Sequence, residues 1–304
     1  MTAPSQPPRR PPSWQEPFTA GLFFIMGPRL PRITQPDPPD GLRPWETVSV
    51  ERAGAGPLNG TWYPLPAGPA RGAILLLHPW VEWGRSYFHR RGRIEALREA
   101  GYHALAVDLG GFGGTRRHGY LDGDVEAALA FLRRRAGALP LHVWGVSAGG
   151  YWSHFVLSRQ NSVAGAMFED VSPHLIEWSW RMAPWGRPAF FFYRHALPSP
   201  YRFLDIRLHA KAMTLAEVSY VSGALDPGVH PEDTQTLAAA AGGRALIVPE
   251  ADHLGSIKVA NEEVIALALD TFRRAEELAG ALDHRGQIDL DLDQEALQKL
   301  RAGH

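Results

Sequence analysis

The chain has 304 residues, 45% of them hydrophobic, a formal charge of -1 at pH 7 and no cysteine. Such a length and apolar content suffice for a large core in one α/β domain, while the near-neutral charge argues against nucleic acid or an anionic membrane as partner. The missing cysteine excludes thiol nucleophiles, disulfides and thiolate metal sites, and fits a reducing, cytoplasmic setting.

Residues 1–44 hold twelve prolines and are expected to form an extension that is disordered or laid along the surface. Its one apolar stretch, Phe18 to Gly27, is too short for a membrane span, which needs about 20 residues, and no Ala-x-Ala-like cleavage site follows it. Docking on the body is expected, with a weak membrane-surface anchor as the alternative. The apolar run Ala73 to Leu77 reads as a buried strand ending at His78-Pro79-Trp80, and Tyr102 to Val107 as the next strand, opening into a glycine-rich loop at Gly110 to Gly114. Arg90-Arg91-Gly92-Arg93 and Arg133-Arg134-Arg135 read as exposed helical stretches.

Leu141 to Val146 is a short apolar strand that runs into Gly145-Val146-Ser147-Ala148-Gly149, followed without a breaker by the helical pattern Tyr151 to Leu157. A strand, a Gly-x-Ser-x-Gly turn and a helix in this order present a serine hydroxyl above the sheet, because the two glycines allow the sharp reversal. Serine is a poor nucleophile at neutral pH, so it needs an adjacent base, and donors for the oxyanion it creates. Ser162 to Asp170 reads as a further strand. Residues 174–212 are too long for a plain crossover and carry a run of aromatics, including Trp178, Trp180, Phe190, Phe191 and Phe192, broken by prolines. The arginines among them read as a solvated helix face. Glu217 to Gly223 alternates like a half-buried strand and opens into Ala224-Leu225-Asp226-Pro227. Ala245 to Pro249 is the last apolar strand, and the loop after it carries His253. Val259 to Gly280 has helical spacing, and residues 281–304 form an acidic tail of no evident chemistry. No His-Glu-x-x-His or comparable metal-ligand spacing is present.

From Glu46 to Leu278 the chain resembles the α/β-hydrolase family, serine esterase and lipase branch. The resemblance rests on the order Ser, Asp, His, each at the end of its own strand. It implies a mostly parallel, doubly wound sheet over residues 45–280, with a cap, residues 174–212, inserted after the sixth strand. It also implies a catalytic triad of Ser147, Asp226 and His253, with Glu169 and Asp170 as alternatives for the acid. The family's His-Gly stands here as His78-Pro79. Pro79 has no N–H, so the resemblance places the oxyanion donors on the backbone of Ala148 and of Trp80 or a neighbour, Trp80 being otherwise a pocket wall. Trp80, Trp83, Trp178 and Phe191 are the expected walls of an apolar substrate pocket. The expected activity is hydrolysis of a small carboxylic ester without cofactor or metal, and oligomeric state is not legible. Two alternatives stay open. An aminopeptidase or amidase would need a charged clamp, for which Glu82, Glu169 and Glu177 are candidates; a non-catalytic binding protein would keep the fold alone.

Overall fold

Apolar side chains at successive strand positions point to opposite faces, so strands buried on both sides need continuous apolar runs and separate them into two cores. The computed structural model describes residues 6–10, 37–80, 83–116, 120–160, 162–182 and 186–283. Eight strands form one sheet: β1 (Glu46–Arg52), β2 (Ala55–Tyr63), β3 (Gly72–Leu77), β4 (Tyr102–Val107), β5 (Leu141–Val146), β6 (Gly165–Glu169), β7 (Glu217–Gly223) and β8 (Arg244–Val248). Their spatial order is β1-β2-β4-β3-β5-β6-β7-β8. β1 and β2 pair antiparallel, as do β2 and β4, and the remaining pairs are parallel.

The alternation is visible strand by strand. Leu75, Leu77, Val143 and Phe168 enter one core beneath helices α2 (Asp122–Ala136) and α3 (Ala148–Leu157). Ile74, Leu76, Trp144 and Met167 enter the other, with residues from α1 (Arg93–Glu99) and the 3-10 turn Gly84–His89. Between β6 and β7 run α4 (Leu175–Met182), α5 (Gly186–Ala196), α6 (Pro198–Phe203) and α7 (Ile206–Ala210). This insertion is fastened to α3: the Tyr151 hydroxyl donates to the Leu204 carbonyl at 2.6 Å, and Phe203 lies 4.8 Å from Phe155 between ring centroids. α8 (Pro231–Ala241) links β7 to β8.

The chain leaves β3 toward β4 on one side and returns as β5 on the other, so β3 and β5 flank a switch point where loops after the strands diverge and a cleft can form. Both the loop after β3 and Ser147 stand there.

Sequence and structure differ at three places. β7, expected to be half-buried, is buried at every position, because both faces of the sheet are covered there. The helix expected over Val259–Gly280 is a short α9 (Ser256–Val259), a break at Ala260, and then α10 (Asn261–Asp283). Ala260 has φ of -140° and ψ of 30°, outside helical geometry, which restarts the helix at Asn261. Arg93, expected on an exposed stretch, is fully buried and gives a two-pronged hydrogen bond to Glu169. A buried guanidinium needs such a partner, and Glu169 at the end of β6 supplies it. Residues 6–10 have no regular structure, and the Arg10 guanidinium stands 5.1 Å above the ring of Tyr120. The Phe18–Gly27 stretch, Glu82 and the acidic residues 289–293 lie outside the described residues. Among the described residues no helix is long and apolar enough to cross a membrane.

Candidate active site

Ser147 sits between β5 and α3 with φ of 46°, a conformation that non-glycine residues seldom hold. Two glycines make room for it. A β-carbon on Gly145 would lie 2.6 Å from the Cα of Gly150, and one on Gly149 would overlap the Leu77 carbonyl. The Ser147 N–H donates to the Glu169 carbonyl at 2.7 Å, pinning the turn to β6.

The Ser147 Oγ lies 3.3 Å from His253 Nε2, and His253 Nδ1 lies 2.6 Å from Asp226 Oδ2. With Nδ1–H donating to the carboxylate, Nε2 faces the hydroxyl as an acceptor. Asp226 is held in turn: its Oδ1 accepts the N–H groups of Gly228 at 2.8 Å and Val229 at 3.0 Å. The three residues therefore form one chain of hydrogen bonds drawn from the loops after β5, β7 and β8. Burial alone would depress the His253 pKa. The hydrogen bond and charge of Asp226, with the charges of Asp170 and Asp252, outweigh it and hold the imidazole above its ordinary value.

The two alternative acids are bonded to other groups. Glu169 is fully buried, its carboxylate taken by Arg93, by the Trp144 indole N–H at 2.5 Å and by the Ser256 hydroxyl at 3.1 Å. Asp170 lies beside the histidine, but its oxygens accept the N–H groups of Gly223 and Leu254. The same commitments bear on the clamp candidates. Glu169 has no oxygen to spare, and Glu177 accepts from the Tyr201 hydroxyl and from Arg207.

His78 orders the loop after β3. It is fully buried, its Nε2 accepts the Leu109 N–H at 3.0 Å, and its Nδ1 meets the Pro79 carbonyl at 2.7 Å. Because a trans peptide sets N–H opposite C=O, this contact turns the Trp80 N–H away from His78. Ala148 opens α3, and the first N–H groups of a helix lack partners within it.

The aromatic candidates are spread more widely. Trp80 packs edge-on to Phe112 at 5.7 Å. Trp83 is 36% exposed beneath the Arg90 guanidinium, 3.6 Å away. Trp178 on α4 closes on the acid loop, where a β-carbon on Gly228 would strike its indole nitrogen. Phe191 on α5 is 54% exposed, and its ring contacts run to Trp180, Phe190 and His195.

Asp170, Asp226 and His253 bring three potential ligand atoms within 4.8 Å of one another. The arrangement suits hydrogen bonds rather than a cation, since Asp226 and His253 bond directly and both Asp170 oxygens face N–H donors.

A sequence profile described as the alpha/beta hydrolase fold matches residues 72–194, from β3 into the insertion. The chain has the α/β-hydrolase fold. Solved structures extend the likeness past the profile. An esterase from Pyrococcus furiosus superposes with a TM-score of 0.65 at 18% identity, covering 81% of this chain and 97% of its own. The esterase domain of a Rhodothermus marinus protein gives 0.57 at 16% identity, covering 77% of this chain and 98% of that one. An acylaminoacyl peptidase from Pyrococcus horikoshii gives 0.61 at 13% identity, covering 83% of this chain but 43% of the peptidase. At these identities the likeness is one of fold. No curated protein is similar enough in sequence to stand as a relative.

Proposed function

We propose that this α/β-hydrolase is a serine esterase, cleaving carboxylic esters with an apolar acyl or aryl group through an acyl-enzyme. The observation that carries the reading is the relay from Ser147 Oγ through His253 to Asp226, at 3.3 and 2.6 Å. Ser147 attacks the carbonyl carbon as its proton passes to His253 Nε2, and Asp226 stabilises the imidazolium. The N–H groups of Ala148 and Trp80 receive the oxyanion. The tetrahedral intermediate collapses by expelling the alkoxide, which takes the proton from His253. Water then attacks the acyl-enzyme by the same steps and frees the acid and Ser147.

Apolar specificity is supported by Trp178 against the acid loop and by Trp80 after β3, since aromatic walls exclude water and reward buried apolar area. An amidase reading has less support, because both oxygens of Glu169 are engaged within the protein and Oε1 of Glu177 accepts from Tyr201 and Arg207.

The test is a p-nitrophenyl ester series from acetate to palmitate. Serine-dependent turnover with an optimum chain length supports the reading and sizes the pocket; activity confined to a matched anilide points to amide hydrolysis, and silence on both to a binding role. Activity also carries a pH signature. His253 must be neutral to act as base, and its pKa is raised, so the acid limb of kcat/KM is expected at higher pH than for a free imidazole. A limb below the ordinary imidazole range would contradict the arrangement.

A further inference from the structure

Asp170 is a buried carboxylate that the proposed mechanism does not use. It ends β6 with φ of 50°, as uncommon for a non-glycine residue as the φ of 60° at Leu254, the residue after His253. Its side chain joins two loops. Oδ1 accepts the Gly223 N–H at 3.3 Å, three residues before Asp226, and Oδ2 accepts the Leu254 N–H at 3.1 Å.

We infer that Asp170 is a positioning residue for the triad, fastening the Asp226 loop to the His253 loop and placing a second negative charge beside the imidazole. The inference rests on the esterase reading. The Leu254 contact fixes the backbone that aims His253 at Ser147, and once the carboxyl loses its proton, near pH 7 and above, its charge favours the imidazolium formed when Ser147 attacks. The groups around the carboxylate are Glu169 on the same strand end, Arg93 from α1, Tyr87 from the 3-10 turn, Asp226 after β7, and His253 with Asp252 after β8.

Burial first, then the charges of Glu169 and Asp226, raise the Asp170 pKa to about 7 against the pull of His253 and of the Gly223 hydrogen bond. An unfolded aspartate ionises near pH 4. Between about 4 and about 7 the folded chain therefore holds the extra proton, and raising the pH through that window costs stability.

Asp170→Asn keeps the shape and one acceptor but removes the charge. The serine-dependent kcat/KM on a p-nitrophenyl ester is expected to fall about tenfold to a hundredfold, with its acid limb moved to lower pH. In thermal melts of the full chain from about pH 5 to about pH 8, the Tm of the variant relative to the unsubstituted protein is expected to climb with pH. Asp170→Ala serves for both measurements if the Asn variant does not fold. An unmoved acid limb together with a pH-independent Tm offset would overturn the inference and leave Asp170 a spacer. If the unsubstituted chain shows no serine-dependent turnover, the esterase reading fails, and the melts still decide whether Asp170 carries a charge beside His253.

Discussion

Ser147→Ala is expected to lower ester turnover about a millionfold, to the rate left by binding and the oxyanion donors, with little change in thermal stability. The size follows from a relay that acts as a unit. Without the hydroxyl, His253 has no proton to receive and water must attack unaided. Ser147 is half-buried, and its backbone bonds to Glu169 and Tyr151 survive the substitution. The same logic predicts non-additivity: His253→Ala alone should cost about as much, and the double variant little more. Asp226→Asn should cost about ten-thousandfold, because an amide favours the wrong imidazole tautomer. Steady-state kinetics on the preferred p-nitrophenyl ester measure all four, and additive losses would count against a relay.

Arg93→Met is expected to destabilise the chain by about 3–5 kcal/mol. Both members of the Arg93–Glu169 pair are wholly buried, at 2.7 and 3.0 Å, so removing the cation strands a carboxylate in the core. For a domain of this size the loss corresponds to a fall in Tm on the order of 10 °C. Pairing it with Glu169→Gln should restore most of the stability, since the penalty lies in the unpaired charge rather than the missing bond. Activity should suffer in the single variant as well, because the Glu169 carbonyl holds the Ser147 N–H and its carboxylate holds Ser256 after the histidine loop. Denaturant unfolding that found a change under about 1 kcal/mol would show that the pair is dispensable.

The parts of the fold legible in the sequence are those set by local sterics. Gly145 and Gly149 announce the turn at Ser147 because any β-carbon there meets backbone; residues 217–223 do form β7, but the half-buried reading was wrong, since the strand is buried along its whole length with a core on each face. Asp226 and His253 were legible as loop residues after strands. Asp226 was named as the acid through the resemblance, and it is the carboxylate that bonds the imidazole; that Asp170 also stands beside His253 was not legible, because only the pairing of β6 with β7 brings both there. Arg93 was misread for a related reason. Its partner lies 76 residues away, and a local run of arginines looks solvated until the sheet places Glu169 beneath it. The break at Ala260 left no mark, since alanine is a strong helix former.

The esterase account stands or falls on the nucleophile. Incubating the full-length chain with a p-nitrophenyl alkylphosphonate, and weighing the intact protein and its peptides, should give one phosphonyl group per chain, on Ser147, with p-nitrophenol released in equal amount. The same treatment of the His253→Ala variant should give almost none. Labelling that failed in the unsubstituted chain, or that fell on another residue, would contradict the account.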